Sequence, residues 1–257
     1  MKDWFKNIGA IIQLELKEYF RYKLAVISSF MVPLVMLIAF GFGMRQREFM
    51  VNGNPYITFI VPGIIGLGIM FSSIFSAGYT ILLDRQRKMI DDIILSPVSF
   101  SSFVSGRLLS NLIKSSMQFV ITLLGVIFWL KQPVPDLGIV IITFTLTCIF
   151  FSSLGIIVAT LTDMISFAGF ANLITVPLMY FCGVFFPIEY FKGFMVIFHF
   201  FPFTSSIELF RFALIGKTYI GTFASNLLIL TLSALLLLFI SIVVFQKSVT
   251  RNFKEWK

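Results

Sequence analysis

Few residues in this sequence have the type and spacing to perform chemistry inside an apolar chain. The single histidine, His199, has no second imidazole with which to form a relay or a metal site. No Asp or Glu lies near the middle of a long apolar run, where a proton-coupled carrier keeps such a group. The sequence therefore argues against an enzyme, a metal centre and a proton-coupled antiporter.

One polar stripe stands out within an apolar run. Its residues follow at intervals of four, three, four and four, which places them on one helical face: Arg107, Asn111, Lys114, Gln118 and Thr122. Such a face indicates either hydrogen bonding between helices or the lining of a translocation path. Lys114 could also extend its ammonium towards the interface. Asn172, in a later apolar run, is a further candidate path residue.

A short sequence, Gly216-Lys217-Thr218, resembles the end of a phosphate-binding loop. That motif needs a glycine five residues before Gly216, and Arg211 occupies the position. No backbone cradle for phosphates forms without the glycine-rich loop. If nucleotide is used, another chain must bind it.

The composition requires lipid as the solvent of this chain. Of its 257 residues, 58% are hydrophobic and only 12% are charged, whereas a soluble domain carries about 25% charged residues. The net charge of +8 comes from basic residues that flank apolar runs, a pattern typical of membrane topology and not of nucleic-acid binding. Cys148 and Cys182 lie far apart in apolar stretches and indicate neither a disulfide framework nor a metal site.

Six apolar runs have the length of about 20 residues that a membrane span needs: 24–44, 57–83, 107–130, 137–161, 166–186 and 222–245. We therefore predict an all-α membrane protein that forms one domain over residues 1–257. Thirteen of the twenty Lys and Arg residues fall on one side of these spans and six on the other. The first side is expected to be cytoplasmic, with both termini there and the spans in the inner membrane.

Three segments outside the spans have patterns of their own. Residues 3–22 predict an amphipathic helix in the membrane interface, which could equally be a lipid-resting anchor with no further role. The cytoplasmic loop 84–105 predicts a short amphipathic helix that ends at Pro97, and its apolar stripe must be buried in the same bundle, in lipid or in a partner's groove. The aromatic segment 187–221, broken by prolines and glycines, predicts either two short re-entrant helices or an interfacial aromatic belt.

The order of several short motifs resembles the membrane subunits of type-2 ABC exporters, above all the daunorubicin-resistance type. The likeness covers nearly the whole chain and is clearest at Phe59-Ile60-Val61-Pro62-Gly63, the charged segment 84–99, Gly106-Arg107-Leu108-Leu109, Gly183-Val184-Phe185-Phe186-Pro187, Phe201-Pro202-Phe203-Thr204 and Arg211. The charged segment lacks the glycine that this family often carries near Lys88-Met89, so its turn geometry differs.

The resemblance implies a subunit that pairs with a second copy of itself or a related permease, and with two ABC-class ATP-binding subunits. These partners would bind ATP and Mg²⁺, this chain would need no cofactor, and the cargo would be a drug, lipid or glycan. Residues implied in ATPase coupling are Asp84, Arg87, Lys88, Ile90, Asp91, Ile94, Pro97 and Asp163. Residues implied in an external gate are Phe186, Pro187, Glu189, Pro202, Glu208 and Arg211.

Two rival functions agree with the composition. A stand-alone channel or secondary carrier would need no ATPase, and Lys114 and the prolines within the spans are the features that favour it. A non-transporting scaffold or assembly factor would give no reason for the charged loop 84–105.

Overall fold

The computed structural model describes residues 2–21, 23–43, 50–51, 54–89, 100–131, 133–190 and 193–255, and these are almost entirely helical. The α-helices are α1 (Lys2–Arg21), α2 (Lys23–Gly43), α3 (Tyr56–Gln86), α4 (Phe100–Leu124), α5 (Leu137–Leu161), α6 (Ser166–Phe181), α7 (Pro202–Ile215) and α8 (Phe223–Glu255). A π-helical turn, Gly125–Trp129, continues α4, and 3₁₀ turns occupy Ile188–Tyr190 and Gly193–Phe200. One element departs from the all-α prediction: the two-residue strands β1 (Met50–Val51) and β2 (Asn54–Pro55) pair antiparallel.

Four helices in the described ranges are long and apolar enough to cross a membrane. They are Tyr56–Gln86, Phe100–Trp129, Leu137–Leu161 and Phe223–Thr250. The helical membrane class is thereby confirmed. The first predicted span corresponds to α2, of 21 residues, and the fifth to α6, whose 16 residues extend about 24 Å. The count of six spans stays a prediction.

The chain leaves the helical conformation after α6, five residues before the predicted end of that span. Gly183 has φ +80°, a left-handed conformation that commonly ends a helix and that glycine adopts without a steric penalty. The predicted pair of short helices that follows consists instead of 3₁₀ turns and one α-helix, α7, with Pro202 in its first turn. Entry of this segment into the outer leaflet stays a prediction.

Helix α3 is the central element of the bundle. Every residue from Phe59 to Met70 is buried, which agrees with a helix that is apolar around its whole circumference. It packs against α2, α4, α5, α6 and α7. It lies very close to the backbone of α5, since a Cβ on Gly155 would lie 2.4 Å from the carbonyl oxygen of Ile74.

Several helices are longer than the bilayer core requires. α3 has 31 residues and α8 has 33, so each extends about 45–50 Å against a hydrocarbon thickness of about 30 Å. The termini of these helices therefore reach into the interfacial layers. We call the two ends of the bundle the α1 end, where α1 meets the last turn of α3 and the first turns of α4, and the α7 end, where α7 meets the first turn of α3.

We predict that Gly155→Ala destabilises the protein, because the added methyl group meets backbone and not a movable side chain. Overpacking of this kind costs about 1–3 kcal/mol. Thermal unfolding in detergent should show a lower Tm. Gly169→Ala is the matched control: it lies within α6 with nothing within 4 Å of the added Cβ, so its Tm should be unchanged or higher. Equal Tm values for the two variants would contradict the close packing of α3 on α5.

Candidate functional site

Four charged side chains from three helices meet at the α1 end. Glu15 of α1 accepts hydrogen bonds from Nη1 of Arg107 at 2.6 Å and from Nζ of Lys114 at 2.6 Å. Nη2 of Arg107 also pairs with Asp84, in the last turn of α3. Glu15 is 3% exposed and Lys114 is 6% exposed. We call this set (Glu15, Asp84, Arg107, Lys114) the charge cluster; its two carboxylates balance its two cations, as buried ions require.

Close packing of α1 on α4 forms the charge cluster. Glu15 lies one helical turn after Ile11 on the face of α1 that turns towards α4. Ile11 packs on Gly106, where an added Cβ would come within 3.1 Å of the isoleucine side chain. Glu15 was not predicted from the sequence as a site residue. Two features of the sequence indicate it. This carboxylate interrupts an apolar helical face, and the α4 stripe has two cations and no anion to balance them.

The other stripe residues hydrogen-bond inside the chain. Nδ2 of Asn111 donates to Oγ of Ser152 on α5 at 2.6 Å, and Nε2 of Gln118 donates to the carbonyl oxygen of Gly68 on α3 at 3.0 Å. These are the contacts that the interhelical alternative predicts. Asn172 does not join them, because it lies on the exposed face of α6. Contact of any of these residues with a transported molecule stays a prediction.

The residues implied in ATPase coupling differ in exposure. Asp84 is buried in the charge cluster and presents no free surface, whereas Lys88 is exposed with φ +58°. Arg87 pairs with Glu18 of α1, in a contact that is about one-third exposed on either side. Four further residues lie outside the described ranges: Ile90, Asp91, Ile94 and Pro97.

Arg85, which was not predicted from the sequence as a site residue, joins the two segments that contain the residues implied in ATPase coupling. These segments are the loop 84–105 and the short connection at Asp163. Arg85, at the end of α3, donates from its two terminal nitrogens to the carbonyl oxygens of Thr160 and Thr162, each at 3.0 Å. It thereby satisfies the unpaired carbonyls at the end of α5. Asp163 follows directly and is exposed. The amide of Ser166 donates to Asp163 at 2.7 Å and holds the pKa of that carboxyl below its usual value.

A second buried ion pair lies at the α7 end. Nη1 of Arg211 donates to Oε1 of Glu208 at 2.5 Å, and Nη2 donates to the carbonyl oxygen of Gly183. The guanidinium also lies over the ring of Phe59, 4.1 Å from its centroid. The second oxygen of Glu208 accepts the amides of Tyr219 at 2.7 Å and Ile220 at 3.3 Å. One ion pair thus connects α3, α7 and the segments that follow α6 and α7.

The remaining residues implied in the gate differ in exposure from this buried ion pair. Phe186 and Glu189 are exposed, Pro187 is buried, and Pro202 begins α7. The segment after α6 has its own attachment to α3, since the hydroxyl of Tyr56 donates to the carbonyl oxygen of Phe185 at 2.8 Å. The α7 end therefore combines a buried ion pair, Glu208 and Arg211, with exposed side chains at Phe186 and Glu189.

We predict that Glu208→Gln destabilises the α7 end, because it leaves the buried Arg211 cation without its counter-charge. Removal of one partner from a buried ion pair costs about 3–5 kcal/mol. The Tm in detergent should fall clearly below that of Glu189→Gln, which removes the same charge from an exposed position. A Tm of Glu208→Gln equal to that of Glu189→Gln would contradict the anchoring role of this pair.

Comparison with known proteins agrees with this arrangement. Residues 6–215 match the model of a family described as ABC-2 type transporter. The chain is 25% identical to Nodulation protein J of Sinorhizobium fredii over 248 residues, which cover 90% of each protein. It is 25% identical to Nodulation protein J of Bradyrhizobium diazoefficiens over 234 residues, which cover 85% of this chain and 84% of the relative. The family model spans both ends of the bundle and most of its helices, so the chain belongs to the ABC-2 type transporter family.

Proposed function

We propose that this chain is the membrane-spanning permease subunit of an ATP-driven exporter in the inner membrane, with both termini in the cytoplasm. A separate ABC-class subunit, present in two copies, binds ATP and Mg²⁺ and hydrolyses the nucleotide. The cargo is an amphiphilic drug, lipid or glycan. The observation that carries this proposal is the family match over residues 6–215. The matched range includes the loop 84–105 and Asp163, where the residues implied in ATPase coupling lie.

The contacts at the α1 end support transmission of movement from the cytoplasmic loop. Residues 90–99 connect the end of α3 to the start of α4 in the sequence, and Arg107 joins these two helices through Asp84. Arg85 joins the end of α3 to the end of α5, and the Arg87–Glu18 pair joins it to α1. A displacement of the loop by an ATPase subunit would therefore act on four helices together.

The exposed face of α6 supports a second copy of the chain as a partner. Asn172 lies near the middle of this apolar helix, is exposed, and has no hydrogen-bond partner in the part of the chain that the structure describes. An amide transferred into hydrocarbon without a partner costs about 2–7 kcal/mol. The exposed side chains in the middle of α8 are, by contrast, apolar: Leu228, Leu232, Leu235, Leu236 and Phe239. We therefore assign α8 to lipid and the Asn172 face of α6 to the path between two copies.

The composition of the α6 face also supports an amphiphilic cargo. Phe170, Leu173 and Tyr180 share its exposed surface with Asn172. An apolar surface with one amide suits a molecule that has both an apolar and a polar portion. A path for ions alone would need charged or carbonyl-lined constrictions instead.

We predict that the purified permease retains an ABC-class ATPase in equal amount, and that Asp91→Lys and Ile94→Asp abolish this association. Each substitution disrupts the amphipathic pattern of the coupling loop, by charge reversal or by a charge in its apolar stripe, while leaving the spans intact. Gentle extraction followed by quantitative mass spectrometry measures the ratio. Lys217→Glu, which reverses a charge near the α7 end, should keep the ATPase. Isolation of the wild-type chain alone, in several detergents and with ATP analogues present, would contradict the proposed function.

We predict that Asn172→Cys permits cross-linking of two copies in the membrane by a short bis-maleimide. Leu232→Cys, on the exposed face of α8, should give monomer only. The native Cys148 and Cys182 are buried, so the background should be low. Cross-linking through Leu232→Cys but not Asn172→Cys would place the dimer contact on α8 and contradict the assignment of these faces.

A further inference from the structure

The charge cluster gives Lys114 a role that differs from contact with cargo. Its ammonium lies 2.6 Å from the carboxylate of Glu15 and 5.9 Å from the ring centroid of Tyr19, both on α1. Lys114 is seven residues beyond Arg107, or about 10 Å further along α4. Glu15 therefore spans two turns of α4 by binding one cation with each oxygen.

We propose that Glu15 and Lys114 form a charge-compensated positioning pair that holds α1 against α4, so that the two helices move as one body. This inference rests on the proposed function where it concerns transmission of movement, but the pairing itself is a property of this chain alone. Asp84 and Arg107 already balance each other. The charges of Glu15 and Lys114 therefore compensate each other, and neither is required for the neutrality of the Asp84–Arg107 pair.

This arrangement predicts an unusual pattern of variants. Glu15→Gln leaves two buried cations facing one carboxylate, and Lys114→Met leaves two carboxylates facing one cation. Each single variant thus carries an uncompensated buried charge, which is far costlier than the loss of the whole pair. The double variant Glu15→Gln with Lys114→Met restores neutrality and keeps the Asp84–Arg107 pair. Compensation between two contacting sites is the property that a double-mutant cycle measures.

Limited trypsin digestion of the full chain in nanodiscs tests the pairing without any transport substrate. Lys17 and Arg21 of α1 have exposed side chains within a helix, so cleavage there follows the fraction of time that α1 is released. Each single variant should be cut at least about tenfold faster than wild type, because a broken buried pair favours release. The double variant should return to within about threefold of wild type, since neutrality is restored.

Two further variants complete the design. Lys114→Arg keeps the positive charge and should be cut at nearly the wild-type rate. Glu189→Gln removes an exposed carboxylate at the opposite end of the bundle, away from the cleavage sites, and should change the rate by no more than about twofold. A double variant that is cut as fast as the single variants would overturn the positioning pair.

ATP hydrolysis by the complex with its ATPase subunit, reconstituted in liposomes, tests the effect on transmission. We expect low hydrolysis in both single variants and recovery in the double variant. If hydrolysis stays low in the double variant although trypsin protection has returned, Lys114 acts on the transport cycle directly, and its role as an anchor only is refuted. Restored protection in a chain that binds no ATPase would instead refute the proposed function and leave the pairing intact.

Discussion

The cost of placing charge in a lipid-solvated bundle determines how both ends of this protein are built. An unpaired ion at such a site is so unfavourable that each buried charge must have a partner. At the α1 end this requirement joins α1, α3 and α4 through Glu15, Arg107 and Asp84. At the α7 end it joins α7 to the segment after α6 through Arg211 and the carbonyl of Gly183. The helices between them associate by packing of apolar and small side chains, which fixes their separation but gives less specificity of partner.

Helix α3 connects these two ionic anchors. Its first turns lie under the Arg211 guanidinium through Phe59, and its last turn contributes Asp84 and Arg85. It is buried on all sides from Phe59 to Met70, and at Ile74 it approaches α5 so closely that only glycine fits at position 155. This packing leaves α3 little room to move independently of its neighbours.

Much of this architecture could be predicted from the sequence, because apolar length and helical periodicity are local properties. The runs at 57–83, 137–161 and, apart from Thr222, 222–245 each lie within helices of the structure, and the periodicity of residues 3–22 predicted α1. Pairing across helices was not predictable from the same patterns. The stripe from Arg107 to Gln118 was recognised, yet its partners, Glu15 and Ser152, lie 92 and 41 residues away from Arg107 and Asn111. The early end of α6 was also not predicted. The apolar run continues through Gly183, whereas the helical conformation of the backbone ends before it.

The distribution of polar groups bears on which kind of transporter this fold can be. Lys114 was the main feature in favour of a channel or carrier formed by one chain, and its charge is neutralised by Glu15. Asn111 and Gln118 donate their amide protons to neighbouring helices of the same chain. The polar groups that face inward thus serve the cohesion of a single subunit. Asn172 alone among the intramembrane amides of the stripe and of α6 faces outward, on a helix that is short for a span. A path that such a residue lines must be closed by a surface from another chain, which favours a two-subunit permease over a self-contained pore.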